Sequence, residues 1–186
     1  TSFLEILADN ACDEDIPFLE SLSAEKSKKV KDMAMQLLKQ IPVSAIVRMY
    51  EQALSLAVVL KKEKALLGIM SKTTLQCRLP ESMDEAIYKT GIDKLSNTKE
   101  LTDDEYVISQ LMQAVSPSFW EKHLEMNPEQ IIDLFQKDAS GKKMIPALVN
   151  AITRFHDTRC ALYFMQYSQV FYIDIIPLLL AQHQEA

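Results

Sequence analysis

The stretch that decides the fold is residues 16–41, IPFLESLSAEKSKKVKDMAMQLLKQI. In its second half, apolar residues follow one another at intervals of four, three, one and three, the spacing of one face of an α-helix. In its first half, Pro17 suits a first helical turn, where its missing N–H is not needed. The stretch therefore predicts two helices that pack back to back as an antiparallel hairpin. The apolar residues of the second half are Val30, Ala34, Leu37, Leu38 and Ile41.

Polar residues define the corner and the outer face of this hairpin. Residues 23–29 separate the two halves, and Ser23 or Ser27 is the expected N-cap of the second helix. Pro42 is expected to close that helix, because the residue before a proline is disfavoured in the α conformation. The side chains that fall mainly on the face opposite the apolar stripe are Lys28, Lys29, Lys31, Asp32, Lys39 and Gln40.

The order of residues in the hairpin carries a resemblance. The positions concerned are Pro17, Leu19, Leu22, Val30, Lys31, Ala34, Leu37 and Ile41. Their order and rough spacing resemble a HEAT repeat. More widely, the segments DIPFLESLSAEKSKKVKDMAMQLLKQIP, LPESMDEAIYKTGI and AVSPSFWEKH resemble an uncharacterised bacterial HEAT-like family, a domain of unknown function. The resemblance implies an α-solenoid and brings no catalytic residues with it.

Composition limits the classes of protein. At 186 residues the chain is expected to be a single domain, residues 1–186, and its start at Thr1 favours a fragment of a longer protein. Only 3 glycines disfavour folds rich in β-turns or phosphate loops. No apolar run reaches the roughly 20 residues of a membrane span, and no signal peptide is visible. The 3 cysteines are far apart in the sequence, so we expect no zinc site and a cytoplasmic location.

The charge balance argues against nucleic acid as a partner. The net charge is −6, and nucleic-acid affinity depends largely on the neutralisation of phosphates. A local cluster of lysines at positions 26, 28, 29 and 31 is interpreted as a solvated corner.

Caps, prolines and apolar spacing predict many further short helices. The expected N-caps are Ser82 with Glu85, Thr102 with Glu105, Ser118 with Glu121, and Asn127. Residues 138–143 are expected to form a turn around Gly141, and Pro146 to lie in the first turn of the helix that follows.

Residues 65–79 are the least regular part: TLQCRL has the composition of a strand, but in an otherwise helical chain we expect irregular structure there. Residues 61–64 are expected to place cations at a helix end, and residues 93–101 to form a flexible loop. The predicted helices cover 46–60, 83–89, 102–115, 118–124, 128–135, 145–155, 158–165 and 167–180.

Helix pairs recur around 16–41, 102–125, 128–155 and 158–181. The predicted fold is therefore all-α, an irregular α-solenoid of antiparallel helix pairs, with a HEAT/ARM-like superhelix as its shape. A single irregular helical domain is the alternative.

Two places in the sequence invite a chemical interpretation. In the pair His156 and Asp157, flanked by Arg154 and Arg159, the carboxylate could tune the imidazole as a general base. A helix corner with the aspartate as N-cap is the favoured interpretation. Trp120 is the only tryptophan. Stacking on a nucleic-acid base is conceivable for it, and packing in the core is favoured.

Acidic runs at 13–15 and 103–105 are explained by a solvated turn and a helix N-terminus, so no metal site is expected. No catalytic motif is present, and we expect no cofactor. The first hypothesis is a non-catalytic helical-repeat scaffold that binds another protein in the cytosol. The alternative is a nucleic-acid-binding or DNA-repair helical-repeat protein, which requires a concave face rich in Lys and Arg. A third is an enzyme in which His156 and Asp157 line a pocket.

Overall fold

The structure is a computed structural model that describes residues 2–8, 10–64, 71–167 and 172–182. There the chain is mostly helical, as predicted, with one small sheet of strands β1 (Val58–Lys64) and β2 (Ser71–Cys77). Short 3₁₀ segments occupy Asp13–Asp15, Leu22–Ala24 and Ile173–Ile175. The helices are α1 (Ser2–Leu7), α2 (Ile16–Ser21), α3 (Lys28–Leu38), α4 (Ala45–Ala57), α5 (Glu85–Lys89), α6 (Asp103–Met112), α7 (Pro117–Leu124), α8 (Pro128–Lys137), α9 (Ala139–Arg154), α10 (Thr158–Tyr167) and α11 (Ile176–Gln182).

The predicted N-terminal hairpin is confirmed as the pair α2 and α3, with α1 packed against α3. Pro17 lies in the first turn of α2, and the Ser27 side chain caps α3 by accepting a hydrogen bond from the Val30 N–H. Ala34 is buried, and α3 ends at Leu38, before Pro42. The buried residues of this unit form a small core of their own: Leu4, Leu19, Ala34, Leu37, Leu38 and Ile41.

The prediction was wrong for the residues that follow α4. That helix ends at Ala57, three residues before its predicted end, and β1 begins at the next residue. β1 pairs antiparallel with β2, with Val58 opposite Cys77. The cations of residues 61–64 therefore lie in a strand and not at a helix end. Residues 71–77, expected to be irregular, are a strand, whereas 65–70 lie outside the described residues.

Packing against helices explains why this hairpin is ordered. Two strands alone are marginally stable in water, so one face needs a partner. Val58 and Leu75 are buried on the face that meets the core, and Leu60 and Cys77 pack beside them. β2 contacts α6, α8 and α9. The β-branched pair at positions 58 and 59 favours a strand, but only the helices beneath make the strand stable.

A second correction concerns residues 138–143, which were predicted to form a turn around Gly141. They are instead the cap and first turn of α9. Asp138 Oδ1 accepts hydrogen bonds from the N–H groups of Ser140 at 2.8 Å and Gly141 at 3.1 Å. Its Oδ2 accepts from the Leu75 N–H of β2 at 3.0 Å. One carboxylate thus begins α9 and holds the sheet against it.

Helix α9 lies at the centre of the larger core. It contacts α6, α7, α8, α10 and β2, and its exposed residues form one stripe. Pro146, expected in a first turn, lies inside the helix on this stripe, where water can reach the carbonyl group that its missing N–H leaves unpaired. In a solenoid each repeat contacts only its neighbours. Serial stacking of helix pairs is not shown by these contacts, which converge on one helix.

Most predicted caps are confirmed, because capping is a local interaction. Thr102 with Glu105 and Asn127 with Gln130 form capping boxes. Two caps are displaced: Asp84 caps α5 in place of the predicted Ser82, and residue 116 caps α7 in place of 118. The 93–101 segment is a loop, as expected, and its predicted flexibility stays a prediction.

Asp138→Ala should destabilise the protein by about 2–3 kcal/mol, because two N–H groups of α9 lose their cap and the Leu75 N–H loses its acceptor. Chemical denaturation measures the free energy of unfolding. Asp84→Ala is the control, since it removes a single exposed cap bond and should cost about 1 kcal/mol or less. Equal losses in the two variants would contradict the joining role of Asp138.

Gly141→Ala should also destabilise the protein, by about 1–3 kcal/mol. A Cβ at this position would lie 2.7 Å from the Cα and the carbonyl oxygen of Phe135, in the backbone of α8. This clash outweighs the roughly 1 kcal/mol that alanine gains over glycine within a helix. Ser140→Ala, one residue away, is the control and should change stability by about 0.5 kcal/mol or less. An increase in the melting temperature of Gly141→Ala would show that α8 and α9 separate easily.

Candidate functional site

A groove of about 580 Å³ lies between α1 and α3. Apolar side chains line its inner part, and charged and amide side chains line the remainder. The apolar residues are Leu4, Ala8, Met33 and Leu37, and the polar ones are Glu5, Lys28, Lys29, Asp32, Gln36 and Gln40.

The groove exists because α3 presents two different faces. Ala34, Leu38 and Ile41 belong to the hairpin core, whereas residues 29, 33, 36, 37 and 40 recur at helical spacing on the groove side. α1 is short and covers only part of α3, so Met33 stays half-buried. The sequence contains a signal for this second face: Met33 is apolar but lies outside the predicted apolar stripe of α3.

Two lysines lie at one end of the groove, and Glu5 and Asp32 in the same lining balance their charge. Lys28 and Lys29 are exposed in the first turn of α3, which contains no acidic residue. Their charges add to the positive end of the helix dipole instead of opposing it. No ion pair forms at either lysine within the described residues. The cluster predicted to be a solvated corner is thus also one end of the groove.

Large apolar side chains are exposed in the same unit. Phe3 is 59% exposed, Ile6 is 68% exposed and Phe18 is 43% exposed. The rings of Phe3 and Phe18 meet edge to face, with centroids 5.8 Å apart and planes at 82°. A ring contact of this kind orders the two side chains, and they remain in contact with solvent. The N-terminal unit therefore presents both a groove and an aromatic surface.

The pair His156 and Asp157 forms a helix corner. His156 has a φ of +52° and is exposed, and Asp157 caps α10 by accepting a hydrogen bond from the Cys160 N–H at 2.9 Å. Because the carboxylate is used for capping, it does not orient the neighbouring imidazole. The structure brings these two residues together only along the chain, and this geometry offers no general base.

Arg159 and Trp120, the other two candidates, have structural partners. Arg159 forms an ion pair with Glu121. Trp120 is fully buried, with Phe119 and Phe135 edge to face at 4.9 Å and 5.7 Å between ring centroids. His123 beside them bonds to the Val58 carbonyl at 2.7 Å and so ties α7 to β1. A buried indole cannot stack on a base, and the preferred interpretation of core packing agrees with this position.

The described residues bring no group of three His, Cys, Asp or Glu side chains into positions suited to a metal ion. The cysteines form no disulfide. Burial, followed by the charges of Asp138 and Glu105, raises the pKa of Cys77 to about 12, and burial is also the main cause of the raised pKa of Cys160. Neither thiol is therefore activated as a nucleophile.

A model of a family of unknown function (DUF5691) matches residues 1–185. The chain belongs to this family. The family match states nothing about repeats or bacterial origin, so those parts of the resemblance stay predictions. No curated protein and no solved structure matches the chain. Within the described parts of the chain, no helix has both the length and the apolar composition needed to cross a membrane.

Thiol labelling at pH 8 should distinguish the three cysteines. Cys12 is exposed and should react at once with Ellman's reagent, whereas Cys160, which is buried, and Cys77, which is half-buried and has a raised pKa, should react much more slowly until the protein unfolds. Since the folded state keeps these two thiols protonated, the stability they contribute is complete below about pH 8.5 and is lost as the pH rises further. Cys12→Ser is the control, and rapid labelling of that folded variant would contradict the burial of Cys160 or the raised pKa of Cys77.

Proposed function

We propose that this protein is a non-catalytic, cytosolic protein-binding module, and that the groove between α1 and α3 takes an amphipathic helix of a partner protein. The groove itself is the observation that carries the proposal. It is an apolar channel on the hairpin that resembles a HEAT repeat, and its floor shares Leu4 and Leu37 with the small N-terminal core and has no residue in the larger core. On this proposal the hairpin serves as the binding unit of a helical-repeat protein.

The shape of the groove supports a helix as the bound element. Helix-in-groove recognition places apolar side chains at i, i+3 or i+4, and i+7 into a channel between two helices. Leu4, Met33 and Leu37 provide an apolar floor for such side chains. A methionine in the floor adapts its shape to the side chain above it, because its thioether chain is unbranched and flexible.

The charge at the groove selects among partner helices. Lys28 and Lys29 at one end favour a partner that carries Asp or Glu near that end. Such charges act chiefly on the association rate and the orientation of the bound helix, and less on the affinity. The partner that fits is thus an amphipathic helix with an apolar stripe and an acidic end.

Nucleic acid fits this surface less well. The lysines extend over one helical turn, whereas the floor of the groove is apolar and the chain has a net charge of −6. Nucleic acid is therefore treated as the competing outcome of the experiment and not as a second proposal.

Site-specific cross-linking identifies the partner. A photoreactive amino acid at Gln36, on the rim of the groove, should trap one protein in extracts of the native cells. The same amino acid at Asn150, exposed on α9, is the matched control and should not trap it. Cross-linked nucleic acid, or equal trapping from both positions, would overturn the proposal.

The trapped segment, made as a peptide, gives the quantitative test. Met33→Glu should weaken its binding about 30-fold or more, because a charged carboxylate replaces the apolar surface on which the partner's apolar side chains would pack. Leu162→Glu introduces the same charge at an exposed apolar position on α10 and should leave binding unchanged within about twofold. Circular dichroism should show the peptide becoming helical when it binds. Equal affinity of the two variants for the peptide would be decisive against the groove.

A further inference from the structure

A cavity of about 530 Å³ lies along one edge of the sheet. β2 forms one wall, and the starts of α6 and α9 form the others. Thr74 and Gln76 have their side chains on one face of the sheet, and Leu75 and Cys77 have theirs on the opposite face. Residues of both faces line this one cavity, which is expected where a cavity follows the edge of a strand.

The backbone of β2 has its outer side toward this cavity. The Arg78 N–H donates to the Ala57 carbonyl at 2.8 Å, whereas the Leu75 N–H donates to Asp138 at 3.0 Å. Because the backbone groups of alternate residues point to opposite edges of a strand, even-numbered residues here face β1 and odd-numbered residues face away from it. The carbonyl group of Leu75 and both backbone groups of Cys77 therefore point to the outer edge.

These three backbone groups lack partners in the described part of the chain. No hydrogen bond between described residues reaches the N–H of Cys77 or the carbonyl groups of Leu75 and Cys77. A row of unpaired N–H and C=O groups at a sheet edge is a template for a further strand. Here the template opens into a cavity whose volume falls within the range of about 300–1,000 Å³ that is usual for binding pockets.

The charges beside this edge favour an acidic occupant. Lys61 and Arg78 are exposed on the face of the sheet that points away from the core, and neither forms an ion pair among the described residues. Two of the carboxylates in the cavity wall are engaged, since Glu105 is ion-paired and Asp138 caps α9. The third, Asp104, lies in the first turn of α6, where the helix dipole stabilises it.

A second copy of β2 fits this edge less well than an acidic strand. It brings the same cations, and like charges on neighbouring strands are destabilising. Charged side chains, above all lysines, are a common means by which edge strands avoid pairing with one another. On the core face of the sheet, Leu75 is buried and Cys77 is half-buried, so side chains that lie there are expected to be apolar.

We propose that the outer edge of β2 binds an extended segment of a partner protein in which acidic and apolar side chains alternate. The segment adds as a third strand whose backbone pairs with Leu75 and Cys77. Its acidic side chains meet Lys61 and Arg78, and its apolar side chains lie on the opposite face. The cavity shares no lining residue with the α1 and α3 groove, so this edge does not depend on the helix proposed to bind there.

Binding of a synthetic peptide to the full chain tests the charge preference. The probe is the pentapeptide EVEVE, acetylated and amidated, and KVKVK is its control. By calorimetry, EVEVE should bind with a dissociation constant of about 1 mM or less and about tenfold or more tightly than KVKVK. Arg78→Glu should abolish this preference, whereas Arg48→Glu, which changes an exposed arginine on α4, should keep it. Equal binding of the two peptides by the wild type would rule out the proposed occupant.

Hydrogen exchange tests the backbone pairing separately. When EVEVE binds, exchange of the Cys77 amide should slow about tenfold or more, because its N–H gains an acceptor. The Gln76 amide, which faces β1, is the matched control and should change little.

N-methylated peptides give a second measure of strand addition. Only alternate residues of a strand bond to one neighbour, so N-methylation of either the valines or the glutamates should abolish binding while the other leaves it intact. Unchanged exchange at Cys77, or equal affinity of the two methylated peptides, would overturn the addition of a third strand.

Discussion

The carboxylate of Asp138 is the contact on which the larger core depends. One oxygen of this carboxylate caps α9, and the other accepts a hydrogen bond from β2. Among the described helices, α9 contacts the largest number of other elements. The chain turns from α8 to α9 at Asp138 alone, and its side chain caps the first N–H groups of α9 there. The close approach at Gly141 has the same origin, because so tight a corner brings the start of α9 onto the backbone of Phe135.

The described residues form two separate hydrophobic cores. The N-terminal unit buries a small set of apolar residues of its own, and Ile46 packs against both sets. A unit with so small a core leaves apolar surface uncovered, which is why the groove and the exposed aromatic rings occur there. The proposed groove thus arises from incomplete burial around α3. Lys39, at the end of α3, is buried, and its Nζ atom lies close to Gly91, which follows α5.

Local interactions account for what sequence reasoning predicted well. A serine, threonine or asparagine cap satisfies N–H groups three residues away, so Ser27, Thr102 and Asn127 were identifiable from neighbours alone. The 3.6-residue period identified α3 and α4 for the same reason. Of the candidate site residues, Asp157 as a cap and Trp120 as a core residue were the favoured interpretations, and both agree with the structure. The groove was not predicted, because it forms between two separate helices, α1 and α3, whose contact no local pattern records.

The sequence by itself determined the helical class, most helix starts and the N-terminal hairpin, since these depend on propensity, caps and apolar period within a few residues. The tertiary structure alone decided that residues 58–64 and 71–77 form strands, that α9 is central and that Lys39 is buried. A strand needs a partner and a covering layer, and the burial of a lysine depends on which helices meet around it. Such contacts join residues as far apart as Leu75 and Asp138. No local pattern in the chain records them.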